Sequence, residues 1–126
     1  MKKKIVSTKN APAAIGPYSQ AVDAGDLVFV SGQVPIVPAQ GKILEESVAG
    51  QTRQVLENIK AILSAAGLEL ENVVKTTVFL TSMGDFREMN GVYAEYFAAD
   101  PPARATIEVS ALPLGARVEI EAVARR

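Results

Sequence analysis

Val73 to Leu80 is rich in β-branched residues and reads as a strand that is apolar on both sides. Val74, Val78 and Leu80 fall on one face of it, Val73 and Phe79 on the other. Leu27 to Ser31 behaves alike, with Val28 and Val30 opposing Leu27 and Phe29. The rest of the chain supplies only two helical patterns, and two helices cover one face of a sheet. The second face, with Leu27, Phe29, Val73 and Phe79, would be an exposed apolar patch in a monomer. The expectation is therefore a single α+β domain over residues 1–126, with both helices on one sheet face and further subunits on the other. Charged groups on that second face would lie in or beside an interface, where small-molecule pockets form.

The remaining elements follow from local chemistry. The opening segment to Gly16-Pro17 is dense in turn formers and reads as an ordered arm. Tyr18 to Ala24 reads as a short strand, and Gly25-Asp26 as a turn. Gly32 is expected to break the strand that starts at Leu27, and residues 33–46, with Pro35, Pro38 and Gly41, to form a loop. Ser47 is an N-cap for a helix whose stripe runs Val48, Thr52, Val55, Leu56, Ile59, Ile62, Leu63 and Ala66, stopped by Gly67. Asp85 and Glu88 form a capping-box-like pair for a second helix, with Phe86, Met89, Tyr93 and Phe97 on its apolar face and Asp100-Pro101-Pro102 at its end. Arg104 to Val109 and Arg117 to Ala124 are the last strands, and their adjacency suggests a hairpin.

Composition removes most chemistry. The 126 residues contain no His and no Cys, which excludes disulfides, thiolate metal sites, thiol nucleophiles and imidazole bases. The acidic residues show no metal-loop spacing, and neither metal nor cofactor is expected. Net charge is -1 and no basic block follows Lys2-Lys3-Lys4, so nucleic-acid binding is not expected. No apolar run is long enough for a signal peptide or a membrane span, and a cytoplasmic protein is the expectation.

What remains is Arg104, placed stiffly behind two prolines, and Glu119, fifteen residues later. A guanidinium at a fixed strand start is a two-pronged clamp for a carboxylate, and a nearby carboxylate can orient water or move a proton. An ion pair at a surface or interface would also account for Arg104. Glu119 and Glu121 share a strand face with Arg117; like charges so close raise one pKa unless a cation such as Arg104 or Arg117 neutralises them. Tyr18 could close over a ligand or pack at an interface. Ser31-Gly32 could admit a ligand to the backbone or form a bulge. Asn90 could bond a ligand or a loop, and Thr106 shares the Arg104 face.

Several separated segments together resemble the RidA family, also called YjgF/YER057c/UK114. They are Ala11-Pro12-Ala13-Ala14-Ile15-Gly16-Pro17-Tyr18-Ser19-Gln20-Ala21, Ser31-Gly32-Gln33, Val74 to Leu80, Pro102-Ala103-Arg104-Ala105 with Ile107, Ser110 and Leu112, and Val118-Glu119-Ile120. The resemblance covers essentially the whole chain. It implies a chorismate-mutase-like mixed sheet, a homotrimer with sites in clefts between subunits, and a last strand inside the sheet rather than in a hairpin. It also implies hydrolysis of reactive 2-imino acids or their enamine tautomers (2-iminopropanoate, 2-iminobutanoate) to 2-oxo acids and ammonia. Such a carbon is electrophilic enough to need neither thiol, imidazole nor metal. By the same resemblance Arg104 grips the substrate carboxylate and Glu119 manages water and protons. Tyr18, Ser31, Gly32, Asn90 and Thr106 shape the pocket. Thr106 departs from members with cysteine there, which rules out thiol-based switching through that position. The alternative is non-catalytic binding or sensing of small 2-oxo acids; a ribonuclease or a chaperone-like surface are more distant rivals.

Overall fold

The computed structural model describes residues 2–126; Met1, at the start of the expected domain, lies outside them. Five elements precede the helices: β1 (Lys4–Val6), β2 (Ala21–Asp23), β3 (Leu27–Gln33), β4 (Ile36–Val37) and β5 (Lys42–Ile43). Then come α1 (Val48–Ala65), β6 (Val73–Leu80), α2 (Phe86–Tyr96), β7 (Ala103–Glu108) and β8 (Val118–Arg125). The main sheet has the order β1-β2-β3-β8-β6-β7, antiparallel except for the parallel pair β6 and β7. The expected hairpin of the last two strands does not form: β8 pairs with β3 and β6, in the sheet interior, as the family resemblance implied. Among the described residues no helix is long and apolar enough to cross a membrane.

Helix α1 forms as its sequence dictates. Ser47 accepts a hydrogen bond from the Gly50 N–H at 3.0 Å. The stripe Val48, Thr52, Val55, Leu56, Ile59, Ile62 and Leu63 is buried. At its end Gly67 adopts φ 76° and the Leu68 N–H reaches the Leu63 carbonyl at 2.8 Å, a reversal that favours glycine. The stripe packs with Met89 of α2 on Val78 and Leu80 of β6 and Val118 and Ile120 of β8, all fully buried. Burial of this set is the main stabilising contribution, about 1.5–3 kcal/mol for each large aliphatic side chain.

Several local expectations are corrected. The second strand is only Ala21–Asp23. Gly32 does not end β3, which runs to Gln33; the register against β8 shifts between Val30 and Gln33, so Ser31-Gly32 forms an irregularity inside the strand. Residues 33–46 are not a plain loop, because Ile36–Val37 and Lys42–Ile43 pair antiparallel around the turn that includes Gly41. A second register shift, between Val73 and Lys75, turns Val73 into the core (5% exposed) and Val74 outward (45% exposed), the reverse of strict alternation. Asp85 does not cap α2. It sits in a 3-10 turn with helical backbone angles and binds Arg117 at 2.9 Å, while Glu88 accepts from the Ala49 N–H in the first turn of α1. The pair expected to cap one helix thus fastens other parts of the fold to both.

The face away from the helices exposes Leu27, Phe29, Val74 and Ile107, the patch that a two-helix cover leaves open. The N-terminal arm is fixed by buried Gln20. Its Oε1 accepts from the Thr8 N–H at 2.7 Å, and its Nε2 donates to the Thr8 and Pro12 carbonyls at 3.0 and 2.7 Å. Gln20→Leu strands these backbone groups and should lower stability by about 2–3 kcal/mol. Urea denaturation reads the loss, and the Thr8 amide should lose exchange protection; an unchanged midpoint would exclude this clamp.

Candidate active site

Arg104 lies on β7, the edge strand, next to Thr76 of β6 and on the helix-covered face. The approach through Pro101-Pro102 and the docking of α2 above it determine its setting. Its Nη1 donates to Asn90 Oδ1 at 2.8 Å. Its guanidinium carbon stands 4.7 Å from the Tyr93 ring centre and 5.5 Å from that of Phe86. The Tyr93 hydroxyl shares a 2.6 Å hydrogen bond with buried Thr76, so the platform beneath the cation is itself anchored. Among the described residues no carboxylate forms a salt bridge with Arg104. A cleft of about 540 Å³ opens over it, lined by Asn90, Tyr93, Phe97, Pro101, Pro102 and Arg104 itself. Thr106 is on the same strand face, and its buried hydroxyl oxygen has no hydrogen-bond partner.

Glu119 sits elsewhere. It lies on β8 and pairs with Phe79 of β6 on the open face. Its carboxylate lies over the backbone of Gly32: a Cβ there would stand 3.0 Å from Glu119 Cδ and would overlap Oε2. Burial, and secondarily the charge of Glu121, hold the Glu119 carboxyl above the ordinary carboxylate range. The expected neutralisation by Arg117 does not occur, because Arg117 reaches to the helix side, to Asp85 and to the Glu46 carbonyl. Glu119 and Gly32 face a cup of about 240 Å³ that is also lined by Ile15, Tyr18, Val34 and Leu114. Tyr18 is seated by its N–H on the Gly16 carbonyl at 2.8 Å. Ser31 donates its hydroxyl to the Ser19 carbonyl at 2.7 Å, tying the strand irregularity to the arm.

The expected residues therefore fall into two groups. Arg104, Asn90 and Thr106 gather on the helix-covered face, and Tyr18, Gly32 and Glu119 gather around the cup, with Ser31 behind it. Within one chain Arg104 and Glu119 are not brought together: β6 lies between their strands, and they project from opposite faces. The idea of a clamp and a carboxylate on neighbouring strands is thus corrected. Sequence reading also missed Tyr93 as the platform for Arg104. The signal was present, because Tyr93 follows Asn90 by one helical turn and shares its face.

The raised Glu119 pKa fixes a sign. Between the unfolded and folded values the native state binds the extra proton, so this group's contribution to stability falls as pH rises through that window. Glu119→Gln should accordingly stabilise the protein at pH 7 and lose that advantage below the ordinary glutamate range. Thermal melts of the two proteins at pH 4 and pH 7 check this; an advantage that is larger in acid would contradict it.

The family described as Endoribonuclease L-PSP matches residues 8–126. The 2-iminobutanoate/2-iminopropanoate deaminase of Mus musculus is 50% identical over 122 residues, covering 97% of this chain and 90% of the relative. The crystal structure of the YjgF gene product from E. coli superposes with a TM-score of 0.94 at 48% identity, covering 98% of each chain. That of E. coli TdcF with bound serine gives 0.94 at 47% identity, again covering 98% of each. With the family match running over residues 8–126 and about half of the residues identical to those of these relatives over nearly their full length, the chain belongs to the Endoribonuclease L-PSP family, the RidA/YjgF family that its motifs resemble.

Proposed function

We propose that this protein hydrolyses reactive 2-imino acids, or their enamine tautomers, to 2-oxo acids and ammonia. The observation that carries the reading is a guanidinium held flat by Asn90 and Tyr93 with no carboxylate of its own. Such a group is a prepared receptor for the carboxylate of a small acid. The 50% identical mouse relative, named as a deaminase of this type, supports the same class.

In this mechanism Arg104 pairs with the substrate carboxylate, Asn90 fixes one end of the guanidinium, and Thr106 offers its free hydroxyl. Water attacks C2 of the imine, and the C=N electron pair moves to nitrogen. Glu119 takes a proton from the water and returns one to that nitrogen. The carbinolamine hydroxyl then passes its proton through Glu119 to the amine nitrogen, the C–N bond breaks to release ammonia, and the C=O bond forms. A carboxyl with a raised pKa suits this exchange, since its two forms lie closer in energy near neutral pH. Gly32 keeps the backbone clear of the reacting groups, and Tyr18 walls the cup. No metal or redox group is needed, because the substrate carbon is already electrophilic.

Since the two groups occupy opposite sheet faces, a complete site needs two chains. We take the assembly to be a homotrimer in which the open apolar face is covered and each cleft combines Arg104 of one subunit with Glu119 of the next. The reaction is placed in the cytoplasm, as the sequence leads one to expect. A ribonuclease reading gains nothing from a chain of net charge -1 without histidine. Carboxylate binding without turnover is the second reading, favoured by the serine bound to TdcF.

Arg104→Lys keeps the charge but loses the planar two-pronged donor, and kcat/KM for 2-iminopropanoate should fall about tenfold or more. Glu119→Gln should reduce kcat by about 10²-fold or more with a smaller change in KM. Ammonia release with a dehydratase as imine source reads both, and a wild-type protein that binds 2-oxo acids without accelerating release would establish the second reading. Arg104→Ala and Glu119→Ala, each inactive alone, should recover about a quarter of wild-type activity when co-assembled at equal ratio, because one cleft in four receives both intact groups. No recovery in verified mixed trimers would remove the shared site.

A further inference from the structure

The cup around Glu119 has an apolar rim built at a local cost. Ile15 and Leu114 are the two most exposed large apolar side chains of the described residues, at 76% and 62%, and both line this cup. Leu114 also has φ 58° and ψ 24°, left-handed backbone that a leucine adopts only with strain. Among the described residues the other non-glycine with positive φ is Asp100, a type that tolerates it. Next to Leu114, Gly115 adopts φ 69° without penalty. A glycine or asparagine at position 114 would satisfy the same turn, yet an exposed leucine stands there. The cup is also lined by the apolar residues Pro12, Val34 and Ile36. Two independent local penalties, exposure and strain, thus meet at one residue of one cavity.

We infer that Ile15 and Leu114 are specificity-determining residues that select imino acids bearing an aliphatic side chain longer than methyl. The inference rests on the proposed imine hydrolysis. C2 of the substrate is trigonal, bonded to the carboxylate carbon, to nitrogen and to the side chain. With the carboxylate drawn to Arg104 and C2 beside Glu119, the third substituent points along the cup wall. There it meets Leu114 and Ile15, whose exposed apolar surface an aliphatic substituent would cover. An isobutyl group offers these two side chains more apolar surface to cover than a methyl group does.

The test compares imines made in situ from alanine and from leucine by an amino-acid oxidase, with imine loss followed by semicarbazone trapping. Leu114→Asn suits the left-handed backbone, so it should melt at or above the wild-type temperature. It should leave kcat/KM for 2-iminopropanoate within about twofold, and lower that for the leucine-derived imine roughly tenfold. Ile15→Ser should lower the same ratio. An unchanged ratio in both variants overturns the rim assignment, as does a loss of trimer mass in light scattering, which would make Leu114 an assembly contact. If the wild-type protein turns over neither imine, the proposed deaminase function fails instead, so the two failures are distinguishable.

Discussion

The parallel pairing of β6 with β7, and the insertion of β8 on the other side of β6, is the constraint on which the site depends. It separates two strands that are adjacent in sequence and gives each a different environment. β8 is buried between neighbours, so alternate residues Val118, Ile120, Ala122 and Ala124 serve the core while Glu119 and Glu121 emerge on the open face. β7 is an edge strand, so Arg104 can leave the core at its margin and lie against α2. A hairpin of the same two strands would have left both groups at one edge.

The settings of Arg104 and Glu119 are prepared by different physics. Around Arg104 the work is done by aromatic faces and one amide, which orient a cation without neutralising it. The Tyr93–Thr76 hydrogen bond holds the platform, and burial raises the Tyr93 pKa so that it remains a neutral phenol under the cation. Around Glu119 the decisive condition is partial desolvation, helped by a like charge and permitted by the missing side chain at Gly32. The Arg104 guanidinium is left without a carboxylate partner, and the Glu119 carboxyl is held above its ordinary range, as the proposed roles require.

Neither face carries this arrangement alone. The helix face is covered by α1 and α2 except at the cleft over Arg104, with ion pairs and hydrogen bonds such as Arg53–Glu95 and Tyr96–Glu57 lying in solvent and adding little. The open face exposes Phe29, Val74 and Ile107 beside the acidic strip. A fold that leaves apolar area exposed on the face bearing Glu119 would couple assembly to chemistry in the proposed trimer.

The sequence by itself determined the elements whose pattern is local. The stripe, cap and glycine stop of α1, the strand Val73–Leu80 and the open apolar face follow from periodicity and turn chemistry, and the segments around Tyr18, Arg104 and Glu119 carry the family motifs. It did not determine where alternation slips. The irregularities at Ser31-Gly32 and Val74 arise from registry with β8, a strand far away along the chain, and they decide that Val73 is buried and that Gly32 lies under Glu119. Nor did it determine that Asp85 and Glu88 would serve Arg117 and α1, or that Tyr93 would lie beneath Arg104. These are contacts between residues distant in sequence, and the tertiary structure alone decides them, because side-chain direction depends on strand order and helix docking as well as on spacing.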